Sequence, residues 1–258
     1  MQHKFKKQFG QNFLSDTNLL RAIVSDGEIS KDDEVLEIGA GAGALTKILD
    51  EKAKKVVSYE IDTSLESELL SLGLKNTKFV FDDALKLPIE KIEADFEDEY
   101  KIVANLPYYI TSPLIFKFLT QSDRAKSLTI MVQKEVAERI VARPGGKDYG
   151  VLSVMCQFYA EAKITRGVGR AMFYPMPKVD SAVVRLTRKP LPKGVDAQKF
   201  GTFVKKCFSM RRKTLANNLA GYCGYNKAEI ENLLAGFDLK IRPENLSLDQ
   251  FLTIFKKF

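Results

Sequence analysis

Glu34-Val-Leu-Glu37-Ile-Gly39-Ala-Gly41-Ala-Gly43 is the stretch that decides the fold. Five residues of strand character run into glycines at alternate positions, and a helix is expected from about Ala42. Glycine lets the backbone approach a ligand closely, and the start of a helix offers N–H groups with no partner inside the helix. A strand, a glycine turn and a helix in succession open a βαβ unit of the kind that binds nucleotide-type cofactors.

The rhythm continues outward. Strands are predicted at 34–38, 55–61, 78–81, 101–104 and 127–132, with helices starting near Asp16, Ala42, Thr63, Ser112 and Lys134. Segments 151–168 and 181–188 read as two more strands. Only residues 169–180 separate them, so they are expected to form an antiparallel hairpin at the sheet edge. The fold class is therefore α/β: a mainly parallel seven-stranded sheet with an antiparallel edge strand. The acidic run from Glu90 to Glu99 is read as a solvated loop. Lys189-Pro-Leu-Pro-Lys-Gly194 propagates no regular structure and serves as a linker. Beyond it, Phe200, Phe203, Val204, Cys207 and Phe208 recur at helical spacing, as do later apolar residues. The division expected is 1–188 for the α/β domain and 189–258 for a small all-α C-terminal domain.

Composition bounds the chemistry. The 258 residues are 45% hydrophobic and 28% charged, the profile of a folded protein rather than a fibrous or disordered one. No apolar run is long enough for a membrane span, and the opening Met1-Gln-His-Lys-Phe-Lys-Lys lacks the apolar core of a secretory signal. A soluble, cytoplasmic protein with no membrane partner is expected. Cys156, Cys207 and Cys223 form no C-x-x-C pair, and His3 is the one histidine, so neither a metal site nor a histidine-based nucleophile is expected. The formal charge of +7 is uneven: residues 188–258 hold 14 Lys and Arg against 6 Asp and Glu. Lys4, Lys6 and Lys7 add a second basic cluster. A positive field beside a near-neutral body suits a polyanionic partner.

Strand ends carry the candidate site. Glu60 closes the second strand, where a carboxylate can accept from both ribose hydroxyls. Asp83 follows the third and can accept from an adenine amine, although a helix cap would use the same residue. Glu37 ahead of G-x-G-x-G suits S-adenosylmethionine better than a pyrophosphate, but Ala44 in the last place of G-x-G-x-x-G keeps a dinucleotide open. The fourth strand then delivers Asn105-Leu106-Pro107-Tyr108 to the same edge. A carboxamide acceptor, outward backbone carbonyls and a flat aromatic face are what methylation of an exocyclic aromatic amine requires, because two acceptors must hold the N–H groups and aim the lone pair. Phe173, in the stiff Phe173-Tyr-Pro-Met-Pro-Lys-Val179 connection, can stack on the base opposite Tyr108, or can be plain core.

These motifs, with Phe9-Gly-Gln11-Asn12-Phe13-Leu14, Asp83-Ala84 and Arg211-Arg212-Lys213, resemble the ribosomal RNA adenine dimethyltransferases along nearly the whole chain. The resemblance implies a Rossmann-like catalytic domain that uses S-adenosylmethionine, with Gln11, Asn12 and Leu14 over its methionine end. It further implies Gly39 and Gly41 against its backbone, Glu60 and Ile61 at the ribose, and Asp83 and Ala84 at the adenine. Asn105 would lie between cofactor and target, with Leu106, Pro107, Tyr108 and Phe173 completing the catalytic set. The implied partner is 16S rRNA in an immature small ribosomal subunit, held by Lys4, Lys6, Lys7, Arg211, Arg212 and Lys213, the last three at a helix start. A monomer is expected. The erythromycin-resistance methyltransferases of 23S rRNA share Tyr108 and Phe173; the Phe208-x-x-Arg-Arg-Lys run favours the small-subunit group. An adenine-specific DNA methyltransferase, a dehydrogenase and a non-catalytic ribosome-assembly factor remain alternatives.

Overall fold

The computed structural model describes Phe13, Leu14 and residues 16–258 except Arg211 and Leu239. In chain order, β1 (Phe13–Leu14) and α1 (Thr17–Asp26) precede β2 (Glu34–Ile38), α2 (Ala44–Lys52), β3 (Lys55–Tyr59), α3 (Glu66–Leu70) and β4 (Thr77–Val80). The alternation continues with α4 (Ile89–Glu93), β5 (Tyr100–Asn105), α5 (Thr111–Gln121), β6 (Ala125–Gln133) and α6 (Lys134–Val141). Then come α7 (Val151–Tyr159), β7 (Ala160–Val168), β8 (Phe173–Tyr174) and β9 (Ser181–Arg188). Four further helices close the chain: α8 (Ala197–Cys207), α9 (Leu215–Leu219), α10 (Lys227–Leu233) and α11 (Leu248–Phe255).

Among the described residues the large sheet has seven strands in the order β4-β3-β2-β5-β6-β9-β7. The first five are parallel, and β9 runs antiparallel to β6. Every residue of β2 is buried, as a strand covered on both faces requires. The strand order reverses between β2 and β5, and ligands of open α/β sheets bind at the carboxyl ends beside such a reversal. One core lies under α1 and α2: Leu20, Ile23 and Val24 recur at helical spacing and pack with Ile48, Leu49 and Val103. Asp16 starts α1 by accepting from the Leu19 amide at 2.8 Å.

Three expectations are corrected. Residues 151–159 are helix α7, and only 160–168 form a strand; Val-Leu-Ser-Val-Met-Cys-Gln-Phe-Tyr is buried on most sides, and a mostly apolar run carries little period to separate helix from strand. The Glu90 to Glu99 stretch is not a plain solvated loop. Ile89, Ile92 and Phe96 are buried along one side of α4 and the turn after it, and Phe96 stacks on Tyr100 with ring centroids 4.4 Å apart. Finally, chain contacts divide the protein into a first unit running to Ala137 with Glu161–Arg188, and a second of Glu138–Ala160 with Lys189–Phe258. The linker at 189 marks one crossing, and α7 joins the helical unit because its apolar side chains pack there.

That second unit is held by aromatic packing. Phe158, Phe200, Phe203 and Phe255 contact one another at centroid distances from 4.6 to 6.4 Å. Asn226 and Ser247 cap α10 and α11 in reciprocal boxes with Glu229 and Gln250. The three cysteines are free thiols; Cys156 and Cys207 are buried and Cys223 is exposed. No helix of the described residues is long and apolar enough to cross a membrane.

Candidate functional site

The carboxyl ends of β2, β3, β4 and β5 open into one cavity of about 1250 Å³, counting the space at its mouth. From β2 come Gly39 and Gly41, with φ of 85° and 55°, a region that favours glycine. A Cβ on Gly39 would lie 3.5 Å from the Asn105 carbonyl oxygen, and one on Gly43 only 2.5 Å from Leu72 Cδ1. The glycines thus meet the left-handed turn, and at Gly43 they also leave room for the end of the Leu72 side chain.

Glu60 and Ile61 line the cavity after β3, and Asp83 and Ala84 after β4. Glu60 is 5% exposed, and its two oxygens accept from the Gly41 and Asp62 amides, each at 2.8 Å. A carboxylate oxygen accepts more than one hydrogen bond, so this grip fixes Glu60 while leaving acceptor capacity for a pair of hydroxyls. Asp83 is both cap and wall. Its Oδ1 accepts from the Leu85 amide at 3.0 Å, and Lys86 Nζ stands 3.4 Å from Oδ2.

Asn105, Leu106, Pro107 and Tyr108 also line the cavity. No group among the described residues hydrogen-bonds the Asn105 carboxamide. The expectation of freely outward carbonyls is narrowed, since the Ile110 amide occupies the Pro107 carbonyl at 3.1 Å and closes the turn into α5. Tyr108 hydroxyl sits 2.9 Å from Ser181 Oγ, which pins the ring to the start of β9. Phe173 and Leu14 are both cavity wall and core: they pair across β8 and β1 and are 5% and 4% exposed.

Gln11, Asn12, Lys4, Lys6, Lys7 and Arg211 lie outside the described residues. Arg212 and Lys213 are exposed but do not begin a helix. Thr214 is the cap of α9, so the pair stands in the preceding turn. Asn218, fully buried, shapes that turn: its oxygen accepts from Ser209 Oγ at 3.0 Å and the Met210 amide at 2.9 Å, and its nitrogen donates to the Met210 carbonyl at 3.2 Å. A single asparagine inside a helix gives no sequence signal of this.

One further group, Tyr109, escaped the sequence reading, and the burial of Glu37 was not part of it. Tyr109 lines the cavity and is 60% exposed, the most accessible aromatic face of its wall. Glu37 is wholly buried beneath the glycine loop, where Oε2 accepts from Thr46 Oγ1 at 2.7 Å and Ser58 Oγ at 2.5 Å, while Oε1 has no partner. Burial pushes its carboxyl up to about 7, against the pull of the two hydroxyls, with a small push from Glu60 in the same direction.

A family model described as ribosomal RNA adenine dimethylase matches residues 2–258. A ribosomal RNA small subunit methyltransferase A from Clostridium botulinum is 47% identical over 255 residues, which cover 96% of this chain and 92% of the relative. Among solved structures, a dimethyladenosine transferase from Plasmodium falciparum superposes with a TM-score of 0.80 at 29% identity, covering 94% of this chain and 95% of that one. The 23S rRNA methyltransferase ErmE does so with a TM-score of 0.73 at 30% identity, covering 95% and 99%.

Proposed function

This chain belongs to the ribosomal RNA adenine dimethylase family and is an S-adenosylmethionine-dependent rRNA adenine dimethyltransferase, and we propose that it modifies two adjacent adenines near the 3′ end of 16S rRNA within an immature small ribosomal subunit. When bound, S-adenosylmethionine supplies an electrophilic methyl group. The residues present suit it: a glycine-built turn beside an anchored Glu60, with Asp83 one strand further along the same cavity wall.

Asn105 carries the reading. Its carboxamide stands in the cavity wall with Glu60 and Asp83 and makes no hydrogen bond with the described residues. Its Oδ1 accepts one N–H of the target amine and the adjacent Leu106 carbonyl the other, the Pro107 carbonyl being turned toward the Ile110 amide. Held so, the nitrogen loses conjugation with its ring and presents its lone pair for in-line attack. The methylated nitrogen is acidic enough to release its proton to water, so no histidine is needed. Tyr108, fixed by Ser181, and the accessible part of the Phe173 ring bracket the base.

We assign catalysis to the α/β unit and rRNA docking to the basic helical unit, in a cytoplasmic monomer. The 47% identity to a small-subunit enzyme, together with Phe208-x-x-Arg211-Arg212-Lys213, favours 16S over 23S rRNA. The test supplies radiolabelled S-adenosylmethionine with small subunits lacking the modification, with 23S rRNA, and with a naked 16S hairpin. Label mapped to paired adenines in the particles supports the reading. Label in 23S rRNA, or equally fast labelling of the naked hairpin, overturns it.

A further inference from the structure

Lys117 lies in α5, the helix that follows the Asn105 motif, and is 7% exposed. Lysine is seldom buried without a carboxylate partner, yet among the described residues no carboxylate forms an ion pair with it. Its ammonium instead donates to the Ala84 carbonyl at 2.7 Å, the Leu85 carbonyl at 3.1 Å and the Leu87 carbonyl. The other side of the same turn is turned to Asp83. The Lys86 and Leu87 amides donate to the Asp83 carbonyl at 2.9 and 3.2 Å, and the Leu85 amide to its carboxylate.

Residues 84–87 are therefore wound between two anchors, with amides gathered by Asp83 and carbonyls gathered by Lys117. Three carbonyls that converge on one point attract a cation strongly in a site from which water is largely excluded, and the ammonium provides the three donors that match them. Asp83, Ala84 and Leu85 are cavity wall, and so is Leu114 on the face of α5 one turn before Lys117. The lysine ties the two walls together.

We propose that Lys117 is a positioning residue for cofactor selection: by drawing in the carbonyls of Ala84, Leu85 and Leu87 it fixes the height of Asp83 and so sets the discrimination between a 6-aminopurine and a purine lacking that amine. The inference rests on the reading of Asp83 as the acceptor for the adenine amine. It adds that the acceptor works only while its turn is held from the far side.

The test titrates the full chain with S-adenosylhomocysteine and with S-inosylhomocysteine, in which an oxo group replaces the amine. Lys117→Met removes the cation at similar length. It is expected to weaken S-adenosylhomocysteine about tenfold, the effect of losing a charge-assisted contact, while S-inosylhomocysteine binding changes little. KM for S-adenosylmethionine should rise with kcat within about threefold, and Lys117→Arg should restore most of the discrimination. Lys117→Gln serves the same titration if the methionine variant does not fold. Equal weakening of both ligands, or none, overturns the positioning role. Asp83→Ala separates this from the reading beneath it. If it leaves discrimination intact, the assignment of Asp83 fails and the inference with it; if it abolishes discrimination while Lys117→Met does not, only the inference fails.

Discussion

Glu37→Gln isolates the energetic consequence of a carboxyl group buried under a ligand loop. Glu37 has one oxygen bonded to Thr46 and Ser58 and one with no partner, and burial raises its pKa from 4.5 to about 7 in the folded protein. A group whose folded pKa lies above its unfolded value contributes its full share of stability below pH 4.5 and loses that share as pH rises through 7. At 1.36 kcal/mol per unit, the loss amounts to about 3 kcal/mol between pH 4 and pH 9. Glutamine keeps the shape, still accepts from both hydroxyls, and never ionises. The variant and the parent should therefore have similar stabilities near pH 4.5, and the variant should be the more stable by about 3 kcal/mol near pH 8.5. The chain has no tryptophan, so urea unfolding is followed by far-ultraviolet circular dichroism at constant ionic strength. The difference between the two proteins should rise with a midpoint spread from pH 5 to 7. Curves that stay parallel from pH 4.5 to 8.5 would refute the reasoning, because they would mean that Glu37 ionises as readily folded as unfolded.

Asn105→Ala should lower kcat by roughly 10²–10³, the cost of removing one preorganised partner of the transition state, while S-adenosylhomocysteine affinity stays within about tenfold; full turnover would remove Asn105 from the mechanism. Phe173→Leu keeps the position apolar but removes three carbons from a buried ring, so stability should fall by roughly 1–2 kcal/mol, whereas kcat/KM for the rRNA particle should drop about tenfold if the ring stacks on the base. An unchanged kcat/KM would leave Phe173 with its core role alone. Arg212→Ala combined with Lys213→Ala touches only exposed side chains and should flatten the salt dependence of particle binding by about one unit of slope per lost phosphate contact; a slope equal to the parent's would end the case for that turn as a docking element.

The strand ends were legible because their chemistry is local. Gly39, Glu60, Asp83 and Asn105 each follow a short apolar run, and a parallel sheet brings such positions to one edge whatever else the chain does. What was not legible is which polar group satisfies which. Sequence showed Asn105-Leu-Pro-Tyr as a row of acceptors, but the Ile110 amide, in closing the turn into the next helix, already takes one hydrogen bond of the Pro107 carbonyl. It showed Glu60 as an acceptor for two hydroxyls, but not that the Gly41 and Asp62 amides each hold one of its oxygens. Helix α7 was misread for a related reason. Its residues are apolar on most sides, and part of its beginning is fixed from elsewhere, with Ser153 Oγ donating to the Arg139 carbonyl and accepting from the Gly150 amide. Lys117 is the extreme case, one lysine in an ordinary helix whose partners are carbonyls some 30 residues earlier. Backbone groups are the same in every residue, so a side chain that answers to them leaves no mark in the pattern of residue types. Pattern therefore finds the residues that line the cavity, and it passes over those that hold the cavity-lining atoms still.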